Sequence, residues 1–185
     1  IKILIDKSNL IQYKQNITNY VEDKVLKNIS SYYFEDVISK ILLNCKKYIH
    51  YDYAAIYLKE TDNFKIITDS NKANNLSFKL EILITEVDLR KSYIFNDINS
   101  NELSKKLLNN LDGIKAILVE PIFINEDYLG SIILLNKNYI GYSKEASDIA
   151  REISTKITLI IQYFKQINEI KEKDRVIELE KSIKS

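Results

Sequence analysis

Between residues 114 and 135 the chain carries two runs, Ile114 to Ile124 and Tyr128 to Leu135, that are β-branched and apolar almost throughout and are separated by Asn125, Glu126 and Asp127. Runs of this length bounded by turn formers read as a hairpin of two buried strands, which commits the chain to a β-sheet. Pro121 falls inside the first run, and a residue without an N–H predicts a bulge or an edge at that point. A second, weaker hairpin is predicted from Tyr53 to Glu60 and Phe64 to Asp69 around Thr61, Asp62 and Asn63. There Ala54, Ile56 and Leu58 alternate with Ala55, Tyr57 and Lys59.

Around these strands the apolar period is helical. Leu10, Ile11, Ile17, Val21, Val25 and Ile29 recur at threes and fours. Phe34, Val37, Ile38, Ile41, Leu42, Cys45 and Ile49 mark a second stripe, with Ser30 and Ser31 as N-caps and Glu35 and Asp36 complementing the positive helix end. Tyr93 to Phe95 predicts a short strand, and Leu103, Leu107, Leu108 and Leu111 a helix stopped by Asp112 and Gly113. From Ser143 onward Ile149, Ile153, Ile157, Ile160, Phe164 and Ile167 form a coiled-coil-like seam, which loses phase across Lys171 to Arg175. Leu76 to Ser92 has no decisive period. With three glycines and one proline, long flexible linkers are not expected and continuous helices are.

Several function classes fall away on composition. The 27 basic and 26 acidic residues leave a net charge of +1, so no global field draws the chain to nucleic acid or to an anionic membrane. No apolar run approaches the ~20 residues that span a bilayer, and no signal-peptide pattern opens the chain. With no methionine in it, the chain is expected to be a piece of a larger protein. One cysteine cannot close a disulfide within the chain, and one cysteine with one histidine falls short of a structural zinc site. Three isolated glycines cannot form a phosphate-cradling loop. No nucleophile, base and orienting group can be assembled from the residues present, so an enzyme is disfavoured. His50 reads as a solvent-facing residue at a helix end, and Cys45, inside an apolar stripe, as a buried and inert thiol.

Three segments in order resemble the GAF domain: Ile94 to Ile98 (IFNDI), Ala116 to Lys137 (AILVEPIFINEDYLGSIILLNK) and Tyr142 to Ile161 (YSKEASDIAREISTKITLII). The resemblance implies an α+β fold, an antiparallel β-sheet with the first and last helices on one face and a ligand pocket on the other. It covers residues 31–164, with 1–30 as an N-terminal connector and dimerisation helix and 165–185 as an outgoing coiled-coil signalling helix. A PAS domain is the fold alternative, but it usually lacks the opening helix pair and ends in strands.

If Ala54, Ile56 and Leu58 face the helices, Ala55 and Tyr57 face the pocket, joined by Tyr93, Phe95 and Asp97. Glu120 adds a carboxylate in an otherwise apolar strand, as counter-charge for a cationic or donor-rich ligand, as the partner of a lysine, or at an edge exposed by the bulge at Pro121. Haem, bilin and metal are disfavoured as cofactors. The cyclic-nucleotide version of the fold carries an Asn-Lys, aromatic, acidic-pair signature; here Asn136, Lys137 and Tyr142 are followed by Ala146 and Ser147 where the acidic pair belongs, with Glu145 and Asp148 as the nearest substitutes. The implied function is a non-catalytic small-molecule sensor module of a larger cytoplasmic signalling protein, which leaves a membrane tether elsewhere in the parent open. Ligand occupancy would be relayed through a parallel homodimer, with Ile160, Phe164 and Ile167 at its seam, to an output domain beyond Ser185. The alternative is a GAF-like spacer that has lost its ligand and only dimerises.

Overall fold

A computed structural model of the chain describes residues 7–20, 33–59, 64–68, 85–96, 102–111, 113–137 and 141–183. Along them run α1 (Lys7–Tyr20), α2 (Phe34–Cys45), β1 (Tyr53–Lys59), β2 (Phe64–Thr68), β3 (Tyr93–Phe95), α3 (Glu102–Asn110), β4 (Ala116–Ile124), β5 (Asp127–Asn136) and α4 (Lys144–Ile183). The strands form one antiparallel sheet in the order β2-β1-β5-β4-β3. The hairpin with the strongest apolar signal, β4 and β5, thus lies inside the sheet. Its turn opens on Asn125 at φ 54°, a left-handed conformation that asparagine tolerates better than most residues. Pro121 stands past the stretch of β4 that β3 covers, where the strand has a neighbour on one side only and a missing N–H is tolerated. The pairing shifts register between Ile122 and Phe123, one residue beyond it.

Two apolar layers sandwich the sheet. On one face Ala54, Ile56 and Leu58 of β1, Leu118 and Ile122 of β4 and Ile132 and Leu134 of β5 pack under α2 and α4. Val37, Ile38, Ile41 and Leu42 of α2 and Ile149, Ile153 and Ile157 of α4 supply the covering side, as their period predicts. Cys45 is buried in this layer, and its burial pushes the thiol well above the usual range, so it stays protonated. His50 is exposed.

The helix ends differ in how they are capped. Ser143 accepts the Ala146 N–H at 3.3 Å and so caps α4. Helix α2 starts after Tyr33, which makes no side-chain cap; Ser30 and Ser31, predicted as its caps, lie outside the described residues, as do the turn residues Thr61, Asp62 and Asn63. Gly113, at φ 75°, follows α3 in the left-handed conformation that only glycine adopts without strain.

The predicted seam needs correction. Ile160 is fully buried in the chain's own core, so it has no surface left to meet a second copy. Phe164 sets its ring edge against Phe34, with centroids 5.2 Å apart, and Ile167 packs on the same layer. Helix α1 also packs against α4, and its Tyr13 ring lies 5.3 Å from that of Tyr48. Farther out, α4 leaves Ile170, Val176, Ile177 and Leu179 exposed. At 1.5 Å per residue its 40 residues reach about 60 Å, well past the sheet that packs on its first half.

Candidate functional site

The second face of the sheet presents the alternate residues of the same strands. Ala55 and Tyr57 of β1, Ile117 and Val119 of β4, Ile133 and Leu135 of β5 and Phe95 of β3 lie beneath Leu107, Leu108 and Leu111 at α3 and Val87 and Leu89 of the 85–92 segment. The segment is fastened by one buried hydroxyl: Ser131 Oγ donates to the Leu89 carbonyl at 2.7 Å. With its hydrogen so used, Ser131 accepts from the Tyr128 phenol at 2.9 Å. Asp88 shapes the adjoining turn, its carboxylate taking the Arg90 N–H at 3.2 Å and facing Lys91 Nζ at 3.4 Å.

Between this segment and the sheet opens a cleft of about 250 Å³, lined by Tyr57, Lys59, Val87, Asp88, Leu89, Arg90 and Tyr128. The Arg90 guanidinium sits 5.9 Å from the centroid of the Tyr128 ring. Burial, aided by the neighbouring Tyr128, pushes the Tyr57 phenol up to about 12. Tyr128 is raised as well, burial outweighing the opposing charge of Arg90.

These shifts predict an alkaline weakness. An unfolded tyrosine ionises near pH ~10, whereas the folded state holds Tyr57 and Tyr128 neutral, so the unfolded chain loses protons first and stability falls as pH rises. The loss is expected to begin near pH ~10 and to continue through about 12 for Tyr57. Following tyrosinate absorbance and circular dichroism together measures it; Tyr57→Phe is expected to lose less stability across that window than the parent chain.

Of the residues singled out in the sequence, Tyr57 alone lines the cleft. Ala55 lies in the packed layer beneath. Tyr93 and Phe95 stack on each other, centroids 5.4 Å apart and planes 11° apart, on the edge strand β3, separated from β1 by β4 and β5. Asp97 lies outside the described residues. Glu120 faces the opposite side, toward α4: only 2% exposed, it accepts from Arg151 Nε at 2.9 Å and from Ser147 Oγ at 3.3 Å. Its partner in the chain is an arginine, where a lysine was the expected alternative. Asp148, considered as half of an acidic pair, lies 3.4 Å from the same arginine.

Lys59, Val87, Asp88, Leu89, Arg90 and Tyr128 were not legible as site residues. The 76–92 stretch carries no usable period, and the described part, 85–92, is irregular, with no strand and no more than a fragment of helix. Tyr128 escapes strict alternation because the register shift pairs Ile122 with Gly130 but Phe123 with Tyr128, skipping Leu129. That extra residue turns Leu129 to the helix side and re-aims Tyr128 at the cleft.

Polar links join the sheet and its neighbours to α4 and to the residues just before it. Asn96, just after β3, clamps the backbone of Tyr142: Nδ2 donates to its carbonyl at 2.6 Å, and Oδ1 accepts its N–H at 2.7 Å. Gly141 makes room, since a Cβ there would lie 2.5 Å from Asn96 Cγ. Along β4, Ser154 donates to the Pro121 carbonyl at 2.7 Å and Thr158 to that of Phe123 at 3.0 Å, extending the Glu120 contacts along one face of α4. Among the described residues there is no group of three or more His, Cys, Asp or Glu placed to hold a metal, and no helix long and apolar enough to cross a membrane.

Set against protein-family models and curated proteins, the sequence matches none. Solved structures do match. The GAF domain of a phosphoenolpyruvate-protein phosphotransferase from Coxiella burnetii superposes with a TM-score of 0.62 at 11% identity, over 88% of this chain and 98% of that one. A GAF domain/HD domain protein from Geobacter sulfurreducens gives 0.55 at 16%, over 72% and 94%. The phycocyanobilin-bound GAF domain of a cyanobacterial phytochrome gives 0.55 at 14%, over 83% and 93%. The chain therefore has the GAF fold, an α+β architecture on an antiparallel sheet. Its helices α2 and α4 on one face, with α4 closing the described chain, also set it apart from the PAS alternative.

Proposed function

We propose that the chain is a non-catalytic sensor module whose small ligand occupies the cleft at Tyr57, Arg90 and Tyr128 and whose occupancy is relayed through α4, in a parallel homodimer, to an output domain. One observation carries this reading: alternate residues of a single strand serve both sides. Tyr57 of β1 lines the cleft, while Ile56 and Leu58 beside it pack under the helices. A ligand that displaces β1 must therefore disturb the layer holding α4, because close-packed interiors transmit strain. Such a ligand moves the equilibrium only through unequal affinity for two arrangements of the helices. The likeness to GAF domains of a phytochrome and of a GAF/HD protein is in keeping with this reading.

The dimer contact, with Ile160 withdrawn into the core, falls to the outer residues Ile170, Val176, Ile177 and Leu179. Ile170 and Ile177, seven apart, share one side of α4 and Val176 and Leu179, three apart, another, and rows of exposed apolar residues on a helix call for partner helices. A spin label at Glu178, which is exposed, tests the relay by pulsed distance measurement. Two chains should give one short distance distribution, and a ligand found by thermal-shift screening should displace it. A distribution unchanged at saturation removes the relay and leaves the spacer reading. That second reading has its own support in the close cover of the second face, where Ala55, Ile117, Val119, Ile133 and Leu135 are all at most 1% exposed.

A further inference from the structure

The cleft's lining carries an uneven charge. Lys59 and Arg90 have no ion pair among the described residues, and both are exposed. The one carboxylate in the lining, Asp88, is already engaged by the Arg90 N–H and by Lys91, so it neither neutralises the arginine side chain nor demands a cation from a ligand. The walls are apolar or aromatic: Val87, Leu89 and the rings of Tyr57 and Tyr128. At about 250 Å³ the space falls below the ~300–1,000 Å³ of pockets for drug-sized molecules, so its occupant is small. A guanidinium already seated beside an aromatic ring presents its fork with little further ordering, and a carboxylate matches that fork with two parallel hydrogen bonds.

We infer that the cleft selects a small carboxylate with a compact apolar body, the carboxylate held by Arg90 and Lys59 and the body lying between the tyrosine rings, Val87 and Leu89. This inference rests on the sensor reading of the same cleft. Cationic amphiphiles are disfavoured by a lysine and an arginine that have no ion pair among the described residues. Doubly charged anions without an apolar portion leave the aromatic walls wet and gain only the surface-screened electrostatic part.

Benzoate, benzamide, benzylamine and inorganic phosphate, titrated into the chain with ring-labelled tyrosines and followed by NMR, separate the possibilities. Benzoate should move the Tyr57 and Tyr128 signals and bind about tenfold tighter than benzamide, the difference a charge-assisted hydrogen bond confers. Arg90→Gln, at an exposed position where folding is preserved, should weaken benzoate about tenfold and leave benzamide unchanged. Benzamide or benzylamine binding as tightly as benzoate, or an Arg90→Gln variant that keeps full benzoate affinity, overturns the carboxylate assignment while the cleft remains a ligand site. Phosphate matching benzoate overturns the apolar half of the assignment. If no probe moves either tyrosine, the sensor reading of the cleft falls with it.

Discussion

Gly130→Ala is expected to destabilise the chain by about 3 kcal/mol, the upper end of the usual cost of overpacking, and to do so by parting two strands. A Cβ built on Gly130 would stand 2.0 Å from the Tyr57 carbonyl oxygen and 3.0 Å from Leu58 Cα, both backbone atoms that cannot swing aside. Gly130 pairs with Leu58 across the β1–β5 ladder and with Ile122 across β4–β5, at the point where the register shifts. Relief therefore requires β1 to move away from β5, which also displaces Tyr57 from the cleft. Urea unfolding measures the loss. A variant within about 1 kcal/mol of the parent would show that the close approach is not a constraint.

The second large effect concerns Glu120. A carboxylate at 2% exposure is tolerable only because Arg151 and Ser147 hold it. Arg151→Met keeps most of the aliphatic contact and strands the charge; since the arginine side chain is itself 58% exposed, the loss is expected at about 3 kcal/mol, the low end for breaking a buried pair. Adding Glu120→Leu should restore most of it, because a leucine among Leu118, Ile122 and the apolar face of α4 needs no partner. The four chains of this double-mutant cycle, compared by thermal or urea unfolding, give the coupling directly. Equal stability of the parent and Arg151→Met would mean that water, not Arg151, satisfies the carboxylate.

Much of the fold was legible because its signals are local. The β4–β5 hairpin followed from two β-branched runs and three turn residues, and β3 was predicted over the residues it occupies. The assignment of Ala54, Ile56 and Leu58 to the helix side and of Ala55 and Tyr57 to the other follows from the pleat, which fixes alternation wherever a strand is regular. The seam on α4 was read from a period that is real, yet a stripe of isoleucines looks the same whether it faces the chain's own sheet or another helix. Ile160 turned fully inward, and Ile167 packs in part on the same layer, because the chain's own core was there to receive them.

The site resisted reading for a related reason. Glu120 and Tyr57 both lie in apolar strands, and sequence alone cannot say that one carboxylate meets an arginine thirty-one residues away. The amino-acid order by itself determined which segments are strands and helices and which faces of them are apolar, since those depend on neighbours a few residues off. Tertiary structure decided which apolar face meets which, that Asp88 is spent on its own turn, and that a single skipped residue at Leu129 swings Tyr128 to the cleft. The physical reason is that a one-residue slip costs little in local pattern but reverses every side chain beyond it, so only the completed pairing of β4 with β5 fixes where the aromatic ring goes.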